Sequence, residues 1–327
     1  MKHNIFKNSI FIGIIISMML FASCQQQTTS STQSIISEPV VITFNFAPES
    51  VSKSSEFSTT IGIINNGDYK IPSGDFRVKV IQDYFSTTNP EVSSSEELDK
   101  QSNAIITLDN IEPNVEIPQN EMQRLYDLNL EYRFLYGGSS DAVMCFVNPI
   151  TQYDARKKPI CSSTDNKISN SKNYVMLTSI DIATGQNYAN VVFNLQKVNS
   201  NVKLLGVNSV DFDTIRTYLT DKYKGDKESI LLKFNALPSY VDASNSYCLI
   251  PNAKGGVDNI KLSDMSSNHK VFLSGGSAQI KCKFVLNKEG KENLDAPNYG
   301  FKSYIQLSYQ YVVMGKLSKS ITVINEG

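Results

Sequence analysis

The sequence predicts an all-β protein built as two tandem antiparallel β-sandwiches, with one short helix in the second. Three observations predict it. Apolar and polar residues alternate with a period of two through most of the chain, the alternating runs are short, and residues suited to tight turns separate them. Many short strands with one buried face are what a sandwich needs.

The clearest run places Leu128, Leu130, Tyr132, Phe134 and Tyr136 on one face and Asp127, Asn129, Glu131 and Arg133 on the other. Helical spacing does not fit it. Similar runs cover residues 41–46, 57–64, 76–81, 105–111 and 142–147, with Asn65-Asn66-Gly67, Pro72-Ser73-Gly74 and Gly137-Gly138-Ser139 as the expected turns. The second half repeats the style at 175–182, 190–195, 202–207, 230–234, 247–250, 259–262, 270–273, 278–286, 301–314 and 320–324. One stretch departs from it. Ile215, Tyr218, Leu219 and Tyr223 recur at steps of three and four behind Asp213, which stands where an N-cap would, so a short helix is expected there. Residues 57–67 are echoed by 189–199, each an alternating run leading into an asparagine-containing turn. Two unrelated amphipathic strands would look equally alike, because β patterns carry little information.

Ahead of this body, residues 1–23 have a basic head (Lys2, Lys7), an apolar stretch over 10–20, and small Ala22 and Ser23 before Cys24. That order is a secretory leader's. The apolar stretch is about a dozen residues, short of the ~20 that span a bilayer as a helix. Residues 24–38 open with Gln25, Gln26, Gln27, Thr28, Thr29, Ser30 and Ser31, a polar run with too little to bury, and are expected as a disordered tether. The first sandwich is then expected over 39–161, a linker over 162–173 where Ser, Asn, Asp and Lys dominate, and the second sandwich over 174–327.

Five cysteines are an odd number for an exported chain until Cys24 is set apart, which leaves four. Cys145 and Cys161 stand near the end of the first half, and Cys248 and Cys282 lie in the second. Four cysteines allow three connectivities; the two local pairs are the expected ones, in oxidising surroundings. A zinc site is disfavoured, since no close cysteine doublet occurs and His269 is the one histidine after the leader.

Phe21-Ala22-Ser23-Cys24 resembles the lipobox of bacterial lipoproteins, with Phe21 in the place of the usual leucine. The resemblance implies that Cys24 carries diacylglycerol and becomes the first residue of the mature chain. It also implies the cell envelope, on the extracytoplasmic face, with the membrane as partner through that anchor. Two or three acyl chains on one residue would hold stably. At 57–80, an alternating strand, the Asn66-Gly67 turn and Gly74-Asp75-Phe76-Arg77-Val78-Lys79-Val80 resemble the immunoglobulin-like CARDB-type modules of prokaryotic surface proteins, over about 25 residues. The wider layout, two sandwiches closed by a Tyr-rich strand (Tyr304, Tyr309, Tyr311), is similar to uncharacterised archaeal surface proteins. What these likenesses imply is an extracellular binding or scaffolding module of two immunoglobulin-like domains, with no catalytic residues to carry over.

The residues nominate no chemistry of their own. His269 sits among Ser266, Ser267 and Asn268 and reads as a turn residue, lacking a third group to orient it as a base. Gly255-Gly256 and Gly275-Gly276 lack a following helix, so they read as turns and not as phosphate loops. The acid pairs Asp211 with Asp213 and Glu96 with Glu97 lack the alternating acid loop of a calcium site. Removing the leader takes the basic count from 31 to 29 against 32 acids, a balance that attracts no nucleic acid. Tyr126, Tyr132, Tyr136, Tyr304, Tyr309 and Tyr311 fit either a recognition patch or half-buried sheet packing, and sheet packing is the preferred reading. The expectation is therefore a non-enzymatic, cofactor-free adhesion or assembly module whose partner is a surface protein or glycan. A glycan- or peptide-capturing lipoprotein is the alternative, and a hydrolase working with carboxylates alone is the third reading.

Overall fold

The computed structural model describes residues 38–148, 160–162, 165–221, 227–295 and 300–325. The expected leader, Cys24 and the tether up to residue 37 lie outside the described residues, as does Tyr223.

The described chain is all-β, as expected. In order, the first half supplies β1 (Val40–Phe46), β2 (Ser50–Ser52), β3 (Phe57–Asn65), β4 (Phe76–Val80), β5 (Phe85–Thr87), β6 (Glu91–Ser93), β7 (Ser102–Pro113) and β8 (Gln123–Val147). The second supplies β9 (Lys167–Asn170), β10 (Val175–Thr184), β11 (Tyr188–Lys197), β12 (Lys203–Leu205), β13 (Glu228–Ala236), β14 (Tyr247–Pro251), β15 (Val257–Lys261), β16 (His269–Leu273), β17 (Ser277–Val285) and β18 (Gly300–Ile324). Two helices join them, α1 (Phe212–Thr220) and α2 (Lys288–Asp295).

Three sheets result. One has the order β1-β3-β7-β5, another β10-β11-β17-β14-β15, and the largest runs β16-β13-β18-β8-β4-β6. The largest is built on β8 and β18, which pair antiparallel along their whole length, from Gly300 opposite Val147 to Ile324 opposite Gln123. At ~3.3 Å per residue a 25-residue strand is about 80 Å long. The even positions of β8 from Leu128 to Phe146, and the odd positions of β18 from Phe301 to Tyr311, keep to one buried face. The core of the protein lies on that face, against residues such as Ile61, Ile63 and Leu108 of the first outer sheet and Val191, Phe193 and Ile280 of the second.

The strand order matches the immunoglobulin plan, in which A, B and E of one sheet face C, F and G of the other. In the first sandwich β1-β3-β7 take A-B-E, while β4, the early half of β8 and the late half of β18 take C-F-G. In the second, β10-β11-β17 take A-B-E, while β13, the early half of β18 and the late half of β8 take C-F-G. Each sandwich therefore lends the other its last strand. The echoed segments 57–67 and 189–199 open with β3 and β11, which hold the same place in their sheets.

Several expectations meet corrections here. The division between 39–161 and 174–327 does not separate the strands, because β18 returns to complete the first sandwich. Residues 162–173, expected as a linker, contain β9, which pairs with β8 through Lys167–Val143 to Asn170–Ser140. Gly137-Gly138-Ser139, expected as a turn, lies inside β8 opposite Gln310, Tyr309 and Ser308. Its glycines serve close packing. A Cβ on Gly137 would stand 2.7 Å from a Tyr69 ring carbon, and one on Gly138 would stand 2.6 Å from the Asn173 Cβ.

The expected helix is present but is capped by Asp211, whose side chain accepts from Thr214 N; Asp213 falls in the first turn. It covers the outer face of the long sheet, where Ile215 and Tyr218 join Leu135, Leu205, Val210 and Val312 in a second apolar cluster. Helix α2 was not expected, since Leu294 is the single apolar side chain in Lys288–Asp295.

Candidate functional site

The four body cysteines form the two local pairs. Cys145 joins Cys161, and Cys248 joins Cys282. The second pair links directly opposed residues of β14 and β17, two strands of the outer sheet.

The tyrosines divide. Tyr132, Tyr136, Tyr309 and Tyr311 are buried, which is the sheet-packing reading, while Tyr126 is half-buried and Tyr304 is exposed. The buried ones, with Tyr174, hold the junction of the two sandwiches. Tyr174 N donates to Tyr311 Oη (3.0 Å), Tyr174 Oη donates to the Val40 carbonyl (3.1 Å), and Val175 N donates to Asn173 Oδ1 (2.6 Å). Burial pushes the phenols of Tyr136, Tyr174, Tyr309 and Tyr311 well above their ordinary range.

His269, expected as a turn residue, is instead the first residue of strand β16, opposite Leu232 of β13, its Nε2 hydrogen-bonded with the Asp264 carbonyl (2.9 Å) and Ser267 Oγ (3.2 Å). Glu97 is paired with Lys70, and Asp211 is occupied as the helix cap, which lowers its carboxyl pKa. No group of three His, Cys, Asp or Glu side chains among the described residues could hold a metal. None of the described helices is long and apolar enough to cross a membrane.

The feature with the geometry of a binding site lies on the outer face of the long sheet, beside the junction. It is a depression of about 540 Å³ whose floor is Ser139 of β8, Gln306, Ser308 and Gln310 of β18, and Lys233 and Asn235 of β13. Asp68, Tyr69 and Lys100 from the first sandwich form one wall, and Asn268 from the second lies opposite. Period-two alternation sends these floor residues outward while Phe234, Leu307 and Tyr309 point into the core.

The floor continues as a row of hydrogen-bonded polar groups. Asp141 accepts from Gln306 Nε2 (2.8 Å) and from Tyr304 Oη. Asn235 Nδ2 donates to Gln306 Oε1 (3.1 Å) and to Ser308 Oγ. The Asp141 hydrogen bond raises the Tyr304 phenol above its ordinary pKa and fixes a ring that is 44% exposed. Cross-strand bonds of this kind lock the rotamers before any ligand arrives. Sequence reasoning missed this row. The available signal was that outward positions 235, 306, 308 and 310 are amides and a hydroxyl, where a solvated face more often carries Lys and Glu.

A second depression, about 610 Å³, is lined by Glu131, Lys197, Lys203, Glu228, Met314 and Lys316 among others. Its central pair is structural. Lys197 Nζ meets Glu228 Oε1 at 2.6 Å and also donates to the Val202 carbonyl (3.0 Å), while Leu204 N donates to the same carboxylate (3.2 Å), which pins β12 between β11 and β13. Burial raises the carboxyl of Asp75, but Asp75 lines neither depression, and the first holds a single acid, Asp68. No protein-family model matches the chain, and comparison with curated proteins gives no match.

Proposed function

We propose that this chain is a lipid-anchored, extracytoplasmic adhesion or assembly module that works without catalysis. The observation that carries the reading is the reciprocal loan of last strands, which makes two sandwiches one continuous ladder of 25 residue pairs. A rigid body of that length, tethered at one end of the sequence by Cys24, suits presentation of a surface away from a membrane. Parting the sandwiches would mean breaking the ladder and not bending a linker. Two disulfides support an oxidising location, where such bonds persist.

The test is direct. Cells producing the full chain are labelled with a palmitate analogue and fractionated, and beads coated with the purified protein are scored for attachment to cells. The wild type is expected to be labelled and to sediment with membranes, Cys24→Ser to lose label and become soluble, and the beads to attach. An unlabelled wild type retained in the cytosol defeats the anchor, and beads that attach to nothing defeat the adhesion role.

The alternative, a lipoprotein that captures a glycan or peptide, draws support from the preorganised row Tyr304, Asp141, Gln306, Asn235 and Ser308. Capture and adhesion share that surface.

A further inference from the structure

We infer that the depression beside the junction of the two sandwiches, with the hydrogen-bonded row that continues from its floor, is an oligosaccharide site, in which Gln306, Asn235 and Ser308 of the floor and Asp141 beside it hydrogen-bond sugar hydroxyls and the Tyr304 ring at the end of the row receives a sugar face. The inference rests on the adhesion reading and names the ligand class through which attachment occurs.

Ligand classes differ in the groups they need from a site. A sugar hydroxyl donates and accepts at once, so its best partners are side chains that offer both functions side by side. Asn and Gln amides and Ser hydroxyls do this, and a carboxylate adds a strong acceptor. The floor is made of those groups: Asn235, Gln306, Ser308 and Gln310, with Asp141 continuing the row. Asn235 and Gln306 are held in place by neighbouring side chains, and each keeps unused hydrogen-bonding capacity. Gln306 spends Nε2 on Asp141 and Oε1 on Asn235, and Asn235 keeps its carbonyl oxygen. Tyr304 at the end of the row is anchored through its hydroxyl, so its exposed ring presents a fixed π-face to the C–H groups of a pyranose.

Other ligand classes fit less well. A peptide captured by strand addition needs an unpaired sheet edge, but this floor is the face of β18, whose backbone is engaged by β13 on one side and β8 on the other. A protein partner needs buried aromatic or aliphatic anchors at the centre of its patch. The lining here is polar except for Tyr69, Tyr309 and a glycine. Nucleic acid needs a row of cations, and the basin has Lys100 and Lys233 beside Asp68. The volume, about 540 Å³, falls within the few hundred to ~1,000 Å³ of ordinary small-ligand sites.

The molecule carries its own control. On the outer face of the second outer sheet, Gln279 Nε2 donates to Asn194 Oδ1 (3.0 Å), and Asn194 Nδ2 donates to Ser179 Oγ (2.8 Å) and Asp181 Oδ2 (3.0 Å). These are the same side-chain types, outside the basin.

The experiment applies the full-length protein to an array of neutral and uronate-containing oligosaccharides, and follows retained sugars by calorimetry with Asn235→Ala, Gln306→Ala and Gln279→Ala variants. Cell attachment of protein-coated beads is measured in parallel. The expected result is retention of at least one array sugar, about tenfold weaker for Asn235→Ala and for Gln306→Ala, and unchanged for Gln279→Ala. Circular dichroism of each variant checks that these surface substitutions leave the fold intact. An array without binding overturns the inference, as does binding that all three variants retain or capture of a protein ligand in place of a sugar. Attachment of beads that persists with an empty array removes the sugar site while leaving the adhesion reading in place.

Discussion

Replacing Cys248 and Cys282 together by alanine tests whether the shared sheet makes the two sandwiches a single cooperative unit. The pair closes a loop with a sequence separation of 34. The chain-entropy treatment gives ~12.6 cal/mol/K for a loop of that size, or about 3.8 kcal/mol near room temperature. Both side chains are buried, at 0% and 3% exposure, so loss of two sulfur atoms adds a small cavity term of roughly 1 kcal/mol. A loss of ~4–5 kcal/mol is a large part of the 5–15 kcal/mol that holds an ordinary domain folded. The informative point is where the loss appears. Disulfide and cavity both lie in the second outer sheet, yet β8 and β18 run in unbroken register through both sandwiches, so the protection of the first depends on the integrity of the second. Hydrogen exchange read by mass spectrometry, at rising denaturant, follows the slowest amides of β3 and β11 separately. Both are expected to lose the same ~4–5 kcal/mol. If β11 loses protection while β3 keeps all of its own, the sandwiches unfold independently and the argument from the shared ladder fails.

Alkaline titration should unfold the protein cooperatively. Tyr136, Tyr174, Tyr309 and Tyr311 have folded pKa values raised above the unfolded value near 10, so the stability they hold is fully present below that pH and is lost as pH climbs towards the folded values. The slope is at most about 1.4 kcal/mol per pH unit for each; a smooth tyrosinate absorbance change centred at 10 for all sixteen tyrosines, with circular dichroism unchanged, would contradict it. Tyr311→Phe removes the acceptor of Tyr174 N and should cost about 1–3 kcal/mol by urea denaturation, since a buried N–H is left without its partner; a change below ~0.5 kcal/mol would show that the junction network is dispensable. Glu91→Ala strips the carboxylate from Arg133, which is 4% exposed, and from Arg77, and should cost about 3–5 kcal/mol in the same assay; a neutral result would mean that the guanidinium had reached water.

Much of this architecture could be read from residue order alone, and what could not has specific causes. Strands such as β3, β4 and β11 were legible because five or more alternating residues bury one face. Strands β2, β5, β6 and β9 have three or four residues, too few for a period of two to register. The long strands were each read as two. In β8, Gly137 and Gly138 carry turn chemistry but are present because Tyr69, the Tyr309 carbonyl and Asn173 occupy the space a Cβ would take. In β18, Gly315 leaves room for the Tyr132 ring, and the stretch from Lys316 to Ser320, polar apart from Leu317, hid the continuity. Helix α2 lacks an apolar stripe. The cysteine pairing, by contrast, is the expected one of the three connectivities that four cysteines allow, each pair closing a stretch within one sandwich.

The loan of strands also explains why the polar basin escaped a residue-by-residue reading. Its floor comes from β8, β13 and β18 and its walls from loops of both sandwiches, so Asp68 and Lys100 lie more than 130 positions from Lys233 and Asn235. No local pattern brings such residues together; only the register of β8 on β18 does, by setting Ser139 opposite Ser308 and Asp141 opposite Gln306. A slip of β18 by one residue in that ladder would turn Gln306 and Ser308 into the core, away from Asp141, and bring Tyr309 and Leu307 out to solvent. Burial of Tyr309, Leu307 and Tyr311 on the inner face therefore fixes the outward row as firmly as it fixes the core. The same register that joins the sandwiches aligns the groups assigned to the sugar, so the site exists only where both halves of the chain are folded together.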